Sequence, residues 1–386
     1  MTGRDDRVHR PIDRTDPAPT TRRPRIAFYA MYDPSVPDRA PRVRIRMLDT
    51  ALRRQADVVM ISGERLARGR RGLSWVLRGG LRSIDAVYVE SSTSFSTPVD
   101  LAILAAARAS GKPVGVYFRD AHQLFRHDFP IPGGKARALD ALWRISTPVL
   151  RQLATHQYVQ SVGMAEVLRL SRPTLLPPGT DPSFPFVGAG DDAVVAALIS
   201  PTKAGELQLL LDAMVILRVT HPDHRLLLIG PLDEALRAAL PAWVDVATSN
   251  RTDLPGLLAP AQLVVIPLPG IRYMNMVIPV RLMDYLALGK PVVSTALEET
   301  RRALGESQAI EFADATPSGL ATGIAHVIDD PALRSAMAVR ARRVAESPAW
   351  TWDARATTIL RTLLPCRHSA PGTYTPDGPA GTEEAH

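Results

Sequence analysis

Arg281 and Asp284 stand three residues apart in Gln262–Thr295, QLVVIPLPGIRYMNMVIPVRLMDYLALGKPVVST, a spacing that puts both on one face of a helix. Pro279 at the first helical position and Gly289 just past the last bracket that helix. Gly270 and Asn275 lie in the loop before it. An apolar strand, Leu263–Pro267, leads in and a second, Pro291–Ser294, leads out. Strand, loop, helix, strand is half of a nucleotide-binding βαβ unit, whose ligands sit outside the carboxyl ends of the strands. The helix start around Ile278–Val280 offers backbone N–H groups and a positive dipole end suited to a diphosphate. Taken alone, the same two side chains also make an ordinary surface ion pair. Both readings stay open at this point.

A second group of reactive residues follows the predicted strand Pro113–Phe118, which runs directly into RDAHQLF. Arg119, Asp120 and His122 are therefore expected at a strand's carboxyl end, facing a cleft. A third group, Arg39, Arg42, Arg44 and Arg46, crowds the loop and helix start after the first strand. That helix is predicted over Val43–Arg54 from Val43, Met47, Leu48 and Leu52. Cations at a helix N-terminus oppose the macrodipole, which points to an anionic partner.

MDYLALGKPVVST resembles the donor-site segment of retaining GT-B glycosyltransferases of glycosyltransferase family 4, where a Glu precedes a small-residue helix and then GKPVV. Asp284 stands at that Glu, whose role in the family is to bond the ribose hydroxyls of a sugar nucleotide. A further family Glu, eight residues earlier, falls on Met276, so the paired-acid pattern is broken. A family variant with a loop Asn and a basic residue before the second acid fits better, through Asn275 and Arg281. The family's phosphate-gripping Arg and Lys fall near Leu198 and on Lys203, so Arg281 or Arg272 would supply the missing charge. Tyr88–Ser94 (YVESSTS) and the Arg119–His122 segment resemble motifs of one branch.

The resemblance implies donor-binding residues Lys203, Gly230, Asn275, Ile278, Arg281 and Asp284, and an acceptor side at Arg42, Arg44 and Arg119. Asp120 and His122 become the catalytic candidates, orienting acceptor or donor hydroxyls. It implies transfer from a nucleoside-diphosphate sugar to a glycan, lipid-linked or small-molecule acceptor, with retention, no metal and no other cofactor. Two alternatives share the fold: a sugar-nucleotide epimerase, which needs no acceptor, and a non-catalytic sugar-nucleotide-binding copy, suggested by Met276.

The elements that must hold these residues alternate along the chain. Strands at Arg25–Ala30, Val58–Ile61, Ala86–Glu90 and Pro113–Phe118 interleave with helices such as Pro98–Ser110, which indicates a parallel, doubly wound sheet. No G-x-G-x-x-G follows the first strand, which argues against a dinucleotide in this half. LLPPGTDPSF marks a hinge at Pro177–Phe186. The alternation then restarts at Ala193–Ile199, with a helix at Asp253–Leu258 expected to be capped by Thr252. The expectation is α/β, GT-B: two Rossmann-like domains, 24–180 and 181–348, facing a cleft, and a Trp-containing helix, 349–365, crossing back. Residues 1–23 and 366–386, rich in Pro, Thr, Gly and charge, read as disordered tails.

The 386 residues suffice for two cores. One cysteine, Cys366, excludes a disulfide framework and suits a reducing, cytoplasmic setting. No apolar run long enough for a membrane span occurs, and the first 24 residues lack the apolar core of a signal peptide. Pro24–Pro185 carries 23 Lys/Arg against 13 Asp/Glu, net +10, whereas Phe186–Pro365 carries 16 against 19, net −3. That asymmetry argues against a uniformly basic nucleic-acid binder. It suits a first domain that meets an anionic acceptor or membrane face, or simply a solvated arginine-rich surface.

Overall fold

A computed structural model describes residues 22–35, 40–130, 133–199 and 205–365. Lys203, Arg39, Cys366 and most of both expected tails lie outside the described residues. In the first half, β1 (Arg25–Ala30), α1 (Ala40–Gln55), β2 (Asp57–Ser62), α2 (Arg65–Leu77), β3 (Ala86–Glu90) and α3 (Pro98–Ala109) come in turn. They are followed by β4 (Val114–Phe118), α4 (Gly133–Leu153), β5 (His156–Val159), α5 (Val162–Val167) and the two-residue β6 (Thr174–Leu175). The six strands are all parallel, in the order β2-β1-β3-β4-β5-β6. β3 (AVYVE) and β4 (VGVYF) are buried along their whole length, as parallel strands covered on both faces must be.

The second half runs β7 (Asp192–Leu198), α6 (Glu206–Thr220), β8 (Arg225–Ile229), α7 (Glu234–Ala238), β9 (Val244–Ala247) and α8 (Leu254–Leu258). Next come β10 (Ala261–Ile266), α9 (Arg272–Asn275), α10 (Val280–Ala287), β11 (Val292–Thr295) and α11 (Glu298–Leu304). β12 (Ile310–Ala313), α12 (Pro317–Asp329), α13 (Pro331–Glu346) and α14 (Trp352–Leu363) complete it. This sheet is also parallel, ordered β12-β11-β10-β7-β8-β9. Chain direction across the sheet reverses between β1 and β3 in the first domain and between β7 and β10 in the second. Those are the two switch points where such sheets open a crevice for ligands.

α14 returns to the first domain, as the sequence led one to expect. Trp352, Ile359 and Leu363 pack with Phe28, Tyr88 and Tyr158 in one core. Gly115 in β4 makes room for this: a Cβ there would lie 2.7 Å from the Tyr158 ring and 3.0 Å from Leu363. The hinge is pinned to the crossover, with Thr180 N–H donating to Trp350 O (2.7 Å) and Trp352 N–H to Thr180 O (3.2 Å). A Cβ on Gly179 would meet Trp352 N at 2.7 Å, so the hinge requires glycine there. The expected Thr252 cap is replaced. The helical turn before α8 starts two residues earlier, at Arg251, and the Asp253 carboxylate accepts the Asn250 N–H instead. No helix among the described residues is long and apolar enough to cross a membrane.

Lys290, the lysine of GKPVV, is fully buried and donates to Ala261 O at 2.7 Å. Burial lowers its ammonium from 10.5 to about 8. Between those values the unfolded chain binds more protons, so stability should rise with pH; below about 8 both states are protonated and the slope vanishes. Denaturant titrations from pH 7.5 to 10.5 should show a gain of about 2–3 kcal/mol that Lys290→Met removes. Equal slopes for parent and variant would assign no buried charge to Lys290.

Candidate active site

At the first switch point, β3 ends in Glu90, an acid with no solvent exposure. Its Oε1 accepts from Arg44 Nε (3.0 Å) and Tyr88 Oη (2.8 Å), and its Oε2 from Arg119 Nη2 (2.5 Å). The Arg44 guanidinium lies 3.8 Å over the Tyr117 ring. Arg44 and Arg119 were expected as open acceptor-side cations. Both are buried, at 1% and 7% exposure. Arg44 lies four residues before Leu48 and eight before Leu52, on the inward stripe of α1, which is why it is buried. Its Nη1 and Nη2, and Arg119 Nε, have no hydrogen-bond partner among the described residues. Two guanidinium groups share the Glu90 carboxylate, and Asp120 adds a second negative charge close to Arg119. The other two described members of the arginine cluster reach backbone: Arg42 donates to Asp33 O (3.0 Å) and Arg46 to Pro34 O (3.1 Å).

Asp120, just past β4, joins the domains. Its Oδ2 accepts from Thr93 Oγ1 (2.7 Å) and its Oδ1 from Tyr273 Oη of the second domain (2.8 Å). Tyr32 Oη and Thr93 Oγ1 are 2.6 Å apart and extend the chain of hydroxyls. Burial, and then the Asp120 charge, push the Tyr273 phenol well above its ordinary range, so it stays a donor. The His122 ring stacks on Tyr273 at 4.3 Å between centroids, and Phe129 meets both rings edge-on. Behind Asp120 a void of about 10 Å³ is lined by Ser91, Ser92, Ser94, Ser96, Arg119 and Thr147, room for one water molecule. The Tyr88–Ser94 and Arg119–His122 segments therefore do meet.

Further interdomain contacts run through Met276 and Glu299. Ser161 Oγ donates to Met276 O (2.7 Å), and a Cβ on Gly163 would sit 3.0 Å from Met276 Cγ. The Glu299 carboxylate accepts Val162 N–H (3.2 Å) and Gly163 N–H (3.0 Å) at the start of α5. A carboxylate there satisfies free helix donors and complements the dipole.

At the second switch point Arg281 and Asp284 do not pair with each other. Arg281 Nη1 donates to Leu198 O (2.6 Å), and its Nη2 pairs with Glu206, which has no exposure. Arg281 thus occupies the place next to Leu198 where the resemblance puts a missing arginine, but Glu206 balances its charge. Tyr285 Oη accepts the Leu198 N–H at 2.6 Å, so α10 holds the end of β7 at two points. Gly230, at φ +154°, closes on the same place: a Cβ would lie 2.7 Å from Ile199 O. Ile278 is buried, and the Asn275 side-chain amide has no hydrogen-bond partner among the described residues.

Asp284 turns instead to Arg251, whose Nε (3.0 Å) and Nη2 (2.8 Å) both donate to Oδ1. Arg251 Nη1 also donates to Asp181 Oδ2 of the hinge (3.1 Å), and its guanidinium lies 4.1 Å over Phe184. Burial raises the Asp284 carboxyl above the ordinary carboxylate range, with Arg251 pulling the other way. Arg251 and Tyr273 escaped the sequence reading. Arg251 opens a single helical turn and Tyr273 sits in the four-residue α9, and each acts through partners far away in the chain. Glu90 was more legible, as an acid ending an otherwise apolar strand.

Arg281→Ala should destabilise the protein by about 3–5 kcal/mol, because it leaves Glu206 buried without its partner. Adding Glu206→Gln should recover most of that loss in the same denaturant titration. A stable single variant would show that the pair carries no coupling.

Two doubly wound parallel domains, a hinge and a returning C-terminal helix define the GT-B class. Residues 193–330 match the family model of glycosyl transferases group 1. No curated protein matches it. Among solved structures, sucrose-phosphate synthase from Thermosynechococcus elongatus superposes with a TM-score of 0.65 at 13% identity, over 88% of this chain and 98% of that one. Anabaena HepE in complex with UDP gives 0.60 at 16%, over 88% and 99%. A Listeria monocytogenes protein assigned as a UDP-N-acetylglucosamine 2-epimerase gives 0.53 at 12%, over 87% and 95%.

Proposed function

We propose that the chain transfers a sugar from a nucleoside-diphosphate sugar to a glycan, lipid-linked or small-molecule acceptor, with retention of anomeric configuration. The observation that carries this reading is the crevice at the β7/β10 switch point, inside the segment that matches the family. There the start of α10 and Gly230 meet the end of β7, and Asp284 lies one turn further along α10. The two Arg251 contacts fall on Oδ1 of Asp284, which leaves Oδ2 to accept a ribose hydroxyl. Sugar transfer builds positive charge on the anomeric carbon and negative charge on the departing diphosphate. Fixed donors aimed at that charge lower the barrier. The N–H groups of Val280 and Arg281 at the start of α10 supply them, with Lys203 as the second cation.

Across the cleft Asp120 orients the acceptor hydroxyl or the donor's sugar hydroxyls. Tyr273 and His122 close the site around it and exclude water, which positions the two substrates. Retention follows the resemblance of Met283–Thr295 to retaining enzymes, and no side chain is assigned as a nucleophile. HepE is solved with UDP, and also with UDP-glucose, so UDP-sugars are the first donors to try. The setting is cytoplasmic on this reading.

A donor that binds only the folded chain raises its melting temperature, by the equivalent of about 2.7 kcal/mol at a hundred times its Kd. One of UDP-, GDP- or ADP-glucose should do so. If none of a full panel of nucleotide sugars shifts the transition, the reading fails. An epimerase is the second reading, favoured by the likeness to the Listeria protein, and it predicts turnover of donor alone.

A further inference from the structure

We propose that α2 is a membrane-docking helix that lays leucines into an anionic lipid surface and sets arginines on its phosphates. The helix is inside out for a soluble domain. It buries Arg68, Gly69 and Gly72 and displays Leu66, Leu73 and Leu77, at 84%, 47% and 77% exposure. A surface helix ordinarily does the reverse. Spacings of seven and four put the three leucines in one stripe.

The inward face is firmly held, so the outward one is not an accident of a loose element. Arg68 is bidentate to Asp100 of α3 (2.9 and 2.7 Å), and Asp100 also accepts from Tyr29 and from the Thr97 N–H. A Cβ on Gly72 would lie 2.6 Å from Ile103, so α2 sits as close to α3 as glycine allows.

Charge complementarity selects the occupant. Arg65, Arg70, Arg71, Arg78 and Arg82 are all exposed, and no acidic residue occurs from Arg65 to Ser83. An open groove of about 430 Å³ beside the helix is walled by Arg71, Arg78, Trp75 and Ser74. Basic residues beside leucine and tryptophan are the make-up of helices that lie in a membrane interface. α3 contacts both α2 and α4 in the same layer. α4 shows a second stripe, Leu142, Ile145 and Val149, which extends the apolar surface. This relocates the expected membrane contact. Of the arginine cluster first expected to make it, Arg44 is buried on Glu90 and Arg42 and Arg46 donate to backbone carbonyls.

The test is co-sedimentation of the full chain with phosphatidylglycerol-containing vesicles and with pure phosphatidylcholine vesicles, at low and high salt. Binding should be confined to the anionic vesicles and fall steeply with salt. Arg70→Gln/Arg71→Gln/Arg78→Gln should weaken it at least about tenfold, and Leu66→Ser/Leu73→Ser/Leu77→Ser should abolish it. These are exposed positions, so melting temperature and nucleotide-sugar binding should hold in both variants. That separates this proposal from the catalytic one. Absence of binding to either vesicle, equal binding to both, or variants that bind like the parent would each overturn it. So would a dimer in sedimentation velocity that the leucine changes dissolve, which would give the face to a second copy of the chain.

Discussion

Asp120→Ala is expected to lower kcat by about a hundredfold or more, in the range seen when a positioned acid–base group is removed. Donor affinity should stay nearly unchanged, because the proposed nucleotide site lies on the other domain. The separation of the two effects is what distinguishes a reacting or orienting carboxylate from a structural one. Asp120 is also the acceptor of the Tyr273 hydroxyl, so a purely structural role would loosen the interface. Tyr273→Phe removes that contact while keeping the ring that stacks on His122. It should cost far less turnover than Asp120→Ala. Equal losses from the two variants would reduce Asp120 to an interdomain latch.

Asp284→Ala should weaken donor binding by about ten- to a hundredfold, the equivalent of losing a charged hydrogen bond worth about 1.5–3 kcal/mol. The fold should survive, since Arg251 keeps Asp181 and the Phe184 ring. Removing Arg251 is the harsher change, because it strips the cation from two carboxylates at once. Calorimetric titration with the stabilising nucleotide measures the first effect directly. An unchanged donor affinity in a folded Asp284→Ala protein would remove Asp284 from the donor site.

The alternation of strands and helices was legible because each strand, turn and helix is dictated locally. Pro279 and Gly289 bounded α10 from neighbours a few residues away. The partners of the charged groups were not legible. Arg281 finds Glu206 and Leu198, Asp284 finds Arg251, and Tyr273 finds Asp120. All of these are made only when distant segments of the chain converge at the sheet ends. Arg44 carried a signal that its charge obscured: it is in register with Leu48 and Leu52, so periodicity alone placed it inside. α2 was missed for the opposite reason. With Arg68, Gly69 and Gly72 inward and leucines outward, its pattern inverts the one by which a helix is recognised. That inversion points to a function for its outer face.

The central claim is that the cleft moves a sugar from a nucleotide to an acceptor. Nucleoside diphosphate released from the stabilising nucleotide sugar, measured with and without a panel of glycan and lipid-linked acceptors, tests it most directly. The proposed mechanism predicts release that is slow alone and rises strongly with one acceptor class, and that Asp120→Ala abolishes this rise. Conversion of the donor without any acceptor would contradict it in favour of epimerisation. A donor that binds but yields no diphosphate with any acceptor would leave a binding protein in place of an enzyme.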